Sequence, residues 1–75
     1  MNSNGEEELE KLRALLKHGV EHNQDHQEEV RKWAGQAGEL GETEAQKLLL
    51  EAAETLNKAN STMFRALDKL GQGED

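Results

Sequence analysis

The sequence predicts an all-α fold: an antiparallel hairpin of two long helices, pairing with a second hairpin into a four-helix bundle or coiled coil. Three observations lead there. Proline is absent, aromatic residues are almost absent, and Glu, Lys, Leu, Ala and Gln dominate, which favours helix over sheet. Apolar residues recur at steps of three and four along two long stretches. One glycine and a capping pattern mark a short turn between them.

Composition narrows the class. Seventy-five residues make one small domain, and chains of this size have difficulty burying enough apolar surface alone. There is no cysteine, so neither a disulfide nor a thiolate metal site can staple the fold. The formal net charge of -7 repels phosphate backbones and argues against a nucleic-acid partner. No apolar run is long enough to span a bilayer. The first residues lack the basic and apolar regions of a signal peptide. The expectation is a cytoplasmic protein with no membrane contact.

Residues 1–5 are polar and expected to be disordered. The helical hairpin is expected over residues 6–70, opening at Glu6-Glu7-Glu8. Ser3 with Glu6 fits the capping-box spacing, and the carboxylates suit the positive end of the helix dipole. A three-four step from Leu9 then visits Leu12, Leu16, Gly19, Asn23, His26, Val30, Trp33, Ala37 and Leu40. That is the period of a coiled-coil seam. Leu15 and Ala34 widen the stripe. A helix from Glu6 to Leu40 is about 50 Å long. Gly35 and Gly38 weaken its end, each by roughly 1 kcal/mol against Ala.

Gly41 is a C-cap candidate, and Thr43 with Gln46 forms a second capping box. The second helix is expected from Glu44 to Leu70. Its stripe is Ala45, Leu48, Leu49, Ala52, Leu56, Ala59, Met63, Leu67 and Leu70. Asn57, Asn60, Ser61 and Thr62 interrupt it, and low helix propensity there predicts a local break near Ser61. Gly71 stops the helix, and residues 71–75 form a tail.

Folding the hairpin about residues 41 and 42 sets Leu16 against Leu67 and Val30 against Ala52 and Ala53. The same fold brings His26 near Leu56 and Asn57, and His22 and Asn23 near Asn60 and Ser61. One polar layer is thus expected between two apolar ones. A lone hairpin leaves much of each stripe in water, so a homodimer is expected.

The chemistry sits in that layer. His18, His22 and His26, the only histidines, stand four apart, and such residues lie one helical turn above each other. Imidazole suits nickel, and also zinc, copper and cobalt. Glu21, Asp25, Glu29, Asn23 and Asn60 are candidate oxygen donors. A lone histidine at such a place is usually a solvated helix residue; three in register opposite Asn and Ser favour a metal. The competing reading is a structural module whose His and Asn layer sets oligomer register, as buried Asn does in coiled coils. Gly19 reads as a site of close helix approach, and Trp33, Met63 and Phe64 as core or interface. Catalysis is not expected. Three residues before the histidines stand Leu15, Gly19 and Asn23, not the glutamates of di-iron bundles. The zinc-peptidase motif is also missing.

The stretch His18-Gly19-Val20-Glu21-His22-Asn23-Gln24-Asp25-His26 resembles the histidine signature of the CooJ-like nickel chaperones linked to carbon monoxide dehydrogenase maturation. Its three histidines match His18, His22 and His26, and Gly19 stands where that signature has a tryptophan. The continuation Glu28-Glu29-Val30-Arg31-Lys32-Trp33-Ala34 is similar to small helical domains of unknown role. The resemblance implies a helical, self-associating nickel binder acting in metal trafficking or sensing. It also implies a metalloenzyme partner that receives the ion. The His-rich tail often present in that family has no counterpart here, so high-capacity storage is not implied.

Overall fold

The computed structural model describes residues 3–71, with side chains over 5–71. Among them are two helices, α1 (Ser3–Glu39) and α2 (Thr43–Lys69), packed on each other as a hairpin. The rod measures 61 × 16 × 14 Å.

Helix α1 begins at Ser3, three residues ahead of the expected start. The expected Ser3–Glu6 capping box rests on the Ser3 side chain, which lies outside the described side chains. Met1, Asn2 and the tail 72–75 lie outside the described residues. Glu6 occupies the first turn, where the helix dipole favours a carboxylate. The helix runs unbroken through Gly35 and Gly38 to Glu39.

The turn satisfies the orphan carbonyls at the end of α1. Gly41 adopts φ 79°, a left-handed conformation that glycine enters without Cβ strain. Its N–H donates to the Gly38 carbonyl at 3.0 Å, and the Glu42 N–H donates to the Ala37 carbonyl at 2.8 Å. This pair of bonds is a Schellman closure. The expected Thr43–Gln46 capping box does not form: Glu42 is the N-cap, without a side-chain cap bond. Thr43 Oγ1 turns back toward the Gly41 carbonyl. The Gln46 side chain lies over Gly38, where a methyl group would meet its Nε2 at 2.6 Å. The Gln46 amide thus packs into the space beside Gly38.

No break occurs near Ser61; α2 is continuous from Thr43 to Lys69. The polar residues there have found partners that tolerate helix. Thr62 Oγ1 donates to the Lys58 carbonyl at 3.1 Å, and Asn60 turns inward and is buried. At the far end Gly71 has φ 89°, and its N–H donates to the Asp68 carbonyl at 3.0 Å. Arg13 of α1 closes the same end: its Nε donates to the Leu70 carbonyl at 2.8 Å. A guanidinium there also suits the negative end of the α2 dipole.

The seam follows the expected register. Gly38 meets Gln46, Gly19 and Asn23 meet Met63, Val20 meets Asn60, and Arg13 meets Leu70. These pairs lie along a fold about residues 41 and 42. The faces turned inward differ in part from expectation. In α1 the shielded positions include Leu9, Arg13, Leu16, Val20, Asn23, Gln27, Val30, Ala34 and Ala37. In α2 they are Gln46, Leu49, Ala53, Leu56, Asn60, Met63 and Leu67, with Leu70 at its C-cap. Leu12, Trp33, Leu40, Ala45, Leu48, Ala52 and Ala59, expected in the seam, are exposed, and so is Phe64. Each helix carries two overlapping heptad stripes, and a single pair of helices buries one of them. The apolar core is Val30, Ala34, Ala53 and Leu67. Full burial of a Val or Leu side chain is worth about 1.5–3 kcal/mol, so this core is a lean one.

Candidate functional site

The expected site is the histidine stripe on α1, whose regular helix sets the spacing. His22 and His26 come together: their ring centroids are 6.4 Å apart and their planes differ by 18°. Residue 26 lies at the edge of the seam and is half-buried, whereas His22 is exposed. One heptad further, Trp33 sets its ring edge-on to His26, 6.1 Å away at 80°. About three turns of helix thus present a row of His22, His26 and Trp33. The Nδ1 of His26 stands 3.6 Å from Oε1 of Glu29, an ion pair only with a protonated ring. An open depression of about 210 Å³ runs beside the pair, lined also by Asp25, Glu28, Glu29 and Lys32. Of the expected oxygen donors, Asp25 and Glu29 line the depression, and Glu21 is not among its lining residues.

His18 is exposed and lies further round the helix. A step of four residues overshoots one turn of 3.6 residues by about 40°. Two such steps separate His18 from His26 by about 80° around the axis, so a regular helix does not aim all three rings at one point. Among the described residues, no three His, Asp or Glu side chains gather as a metal-holding group. One chain brings together the pair, not the trio.

The asparagines of the polar layer take other roles. Asn23 Nδ2 faces the Met63 sulfur at 3.5 Å. Asn60 Nδ2 donates to the Val20 carbonyl at 3.1 Å, and Asn60 Oδ1 is buried without a hydrogen-bond partner. Asn60 lines a depression of about 330 Å³ with Val20, Gln24, Gln27, Asn57, Ser61 and Phe64. This depression opens on the side of the seam opposite the His22–His26 pair. The expected single polar layer is therefore split, imidazoles on one side and amides on the other. A methyl at Gly19 would come within 3.2 Å of Met63 Cε, so Gly19 does mark a close approach.

Arg13 escaped the sequence reading, and Gln46 was read only as the capping-box partner of Thr43, not as a contact with Gly38. For Arg13 the signal was present: the fold about residues 41 and 42 places a cation at position 13 against the last carbonyls of α2. No helix among the described residues is long and apolar enough to cross a membrane.

No curated protein and no solved structure matches the chain. A family model described as Domain of unknown function (DUF8180) matches residues 12–70, spanning most of both helices and the turn, and the chain belongs to that family.

Proposed function

We propose that this hairpin is a small cytoplasmic binding protein for a divalent transition metal, nickel foremost, carried by His22 and His26 for trafficking or sensing. The observation that carries the reading is the near-parallel His22–His26 pair, 6.4 Å between centroids on adjacent turns. Small side-chain rotations bring two ring nitrogens to a common ion at roughly 2 Å each. Asp25 and Glu29 border the same depression and supply oxygen, a mixed donor set that suits nickel or copper, with zinc and cobalt as competitors. The likeness of the stretch from His18 to His26 to a nickel-chaperone signature supports nickel as the cargo and a metalloenzyme as its recipient.

Trp33 provides the test. It is the only tryptophan, and its ring meets His26. Adding Ni(II) at neutral pH is expected to quench its fluorescence to saturation. His22→Ala and His26→Ala are each expected to abolish that response, and His18→Ala to weaken it less. Saturable quenching that survives the double variant His22→Ala/His26→Ala overturns the proposal.

A structural module is the second reading. The Asn60 bond to the Val20 carbonyl favours it, because that bond fixes helix register without a metal. It predicts that histidine variants leave Ni(II) without any saturable effect to remove.

A further inference from the structure

Among the described residues seven large apolar side chains are exposed, and they are not scattered. The depression lined by Val20, Gln24, Gln27, Asn57, Asn60, Ser61 and Phe64 identifies one broad side of the hairpin. Helical geometry puts Leu50 on that side with Phe64, seven residues apart on α2. Leu12, Leu15, Trp33 and Leu40 of α1 and Leu48 of α2 fall on the opposite side. So do Ala45, Ala52, Ala59 and Ala66, one per heptad of α2 and all exposed. Five of the seven exposed large apolar residues thus share one face with an alanine stripe.

We infer that this face docks a second copy of the chain, forming a four-helix bundle. Two quantities on the molecule argue for it. The accessible surface is 5796 Å² for 8.4 kDa, whereas a compact monomer of that mass exposes about 4,600 Å². The side of a rod 61 Å long and 14–16 Å wide covers on the order of 900 Å², close to the ~800 Å² per partner of a stable interface. The heptad spacing supplies the fit. Residues Leu12, Gly19, His26, Trp33 and Leu40 form one continuous row, and Ala45, Ala52, Ala59 and Ala66 another. Rows of this kind are what a coiled-coil partner helix requires. The alanines allow close backbone approach, and Leu12, Leu15, Trp33, Leu40 and Leu48 supply the apolar area. The inference needs no metal, although the docked face runs through His26 and Trp33; excess chelator therefore separates its failure from that of the proposed function.

Sedimentation equilibrium of the full chain in excess chelator tests it. The wild type is expected to sediment at twice 8.4 kDa. Leu15 and Leu48 are 68% and 63% exposed, so Leu15→Glu/Leu48→Glu leaves the hairpin's own packing intact. That variant is expected to weaken self-association at least tenfold, with helicity retained by circular dichroism. Leu50→Glu/Phe64→Glu, on the other side, is expected to leave it unchanged. A wild-type monomer at high micromolar concentration overturns the inference and hands the face to a different partner. A dimer that resists Leu15→Glu/Leu48→Glu, or yields equally to both variants, overturns it as well.

Discussion

The side-chain amide of Asn60 donates to the backbone carbonyl of Val20 across the seam, at 3.1 Å, while its own oxygen is buried and unpaired. The bond ties α2 to one level of α1. The unpaired oxygen makes the residue a poor source of stability, because a buried unsatisfied acceptor costs about 1–3 kcal/mol. Asn60→Leu removes the bond and the orphan oxygen together, and the Val20 carbonyl keeps its place within α1. The urea midpoint is expected to hold or rise. Asn60→Asp puts a carboxylate in the same space and is expected to cost at least about 2 kcal/mol at pH 7. Burial raises a carboxyl pKa, so acid neutralises the new group in the folded state first and the deficit shrinks as pH falls. An Asn60→Asp protein as stable as wild type at pH 7 contradicts this account.

The glycines separate by environment. A methyl at Gly35 meets nothing within 4 Å, so Gly35→Ala is expected to stabilise by about 0.5–1 kcal/mol through helix propensity and chain entropy. Gly41 also has open space, but its φ is +79°, and Gly41→Ala is expected to destabilise by about 1 kcal/mol. Thermal melts of the two variants shifting in the same direction contradict the turn geometry.

Arg13 holds the open end of the hairpin. Arg13→Ala is expected to cost about 1 kcal/mol from the lost charge-assisted bond and dipole interaction. The loss is local, so amide exchange at residues 68–71 is expected to accelerate more than exchange near Ala53. Uniform acceleration along α2 points instead to a global role.

Acid competes with metal. Imidazole ligates only when neutral, so protons compete with the ion for the ring nitrogen. Ni(II) affinity read from Trp33 is expected to fall progressively from about pH 7 to about pH 5. Affinity flat over that range assigns the ion to Asp25 and Glu29 rather than to the rings.

The hairpin, its turn and its register were legible in the residues. Gly41 supplies the only sharp stop between two long periodic stretches, and the register follows from counting outward from it. Which flank of each helix turns inward was not legible. Polarity alone ranks Leu12 and Trp33 above Arg13 and Gln27. The fold reverses that order because Arg13 finds the Leu70 carbonyl, Asn60 finds the Val20 carbonyl, and Ala34 and Ala53 form part of the small core. Specific polar bonds of this kind leave no periodic trace. The histidine spacing was legible as a row, but the drift of a four-residue step around a regular helix leaves His18 off the line of His22 and His26.

The notch where Gln46 covers Gly38 stands just outside the Schellman turn. Of the cross-helix contacts described above, it encloses the fewest residues. Loop-closure entropy grows with the length enclosed, so this contact costs least to form, and every later pair closes onto one already made. The hairpin is therefore built to zip outward from Gly41. Its contacts divide into an early set near the turn and a late set ending at Arg13 and Leu70.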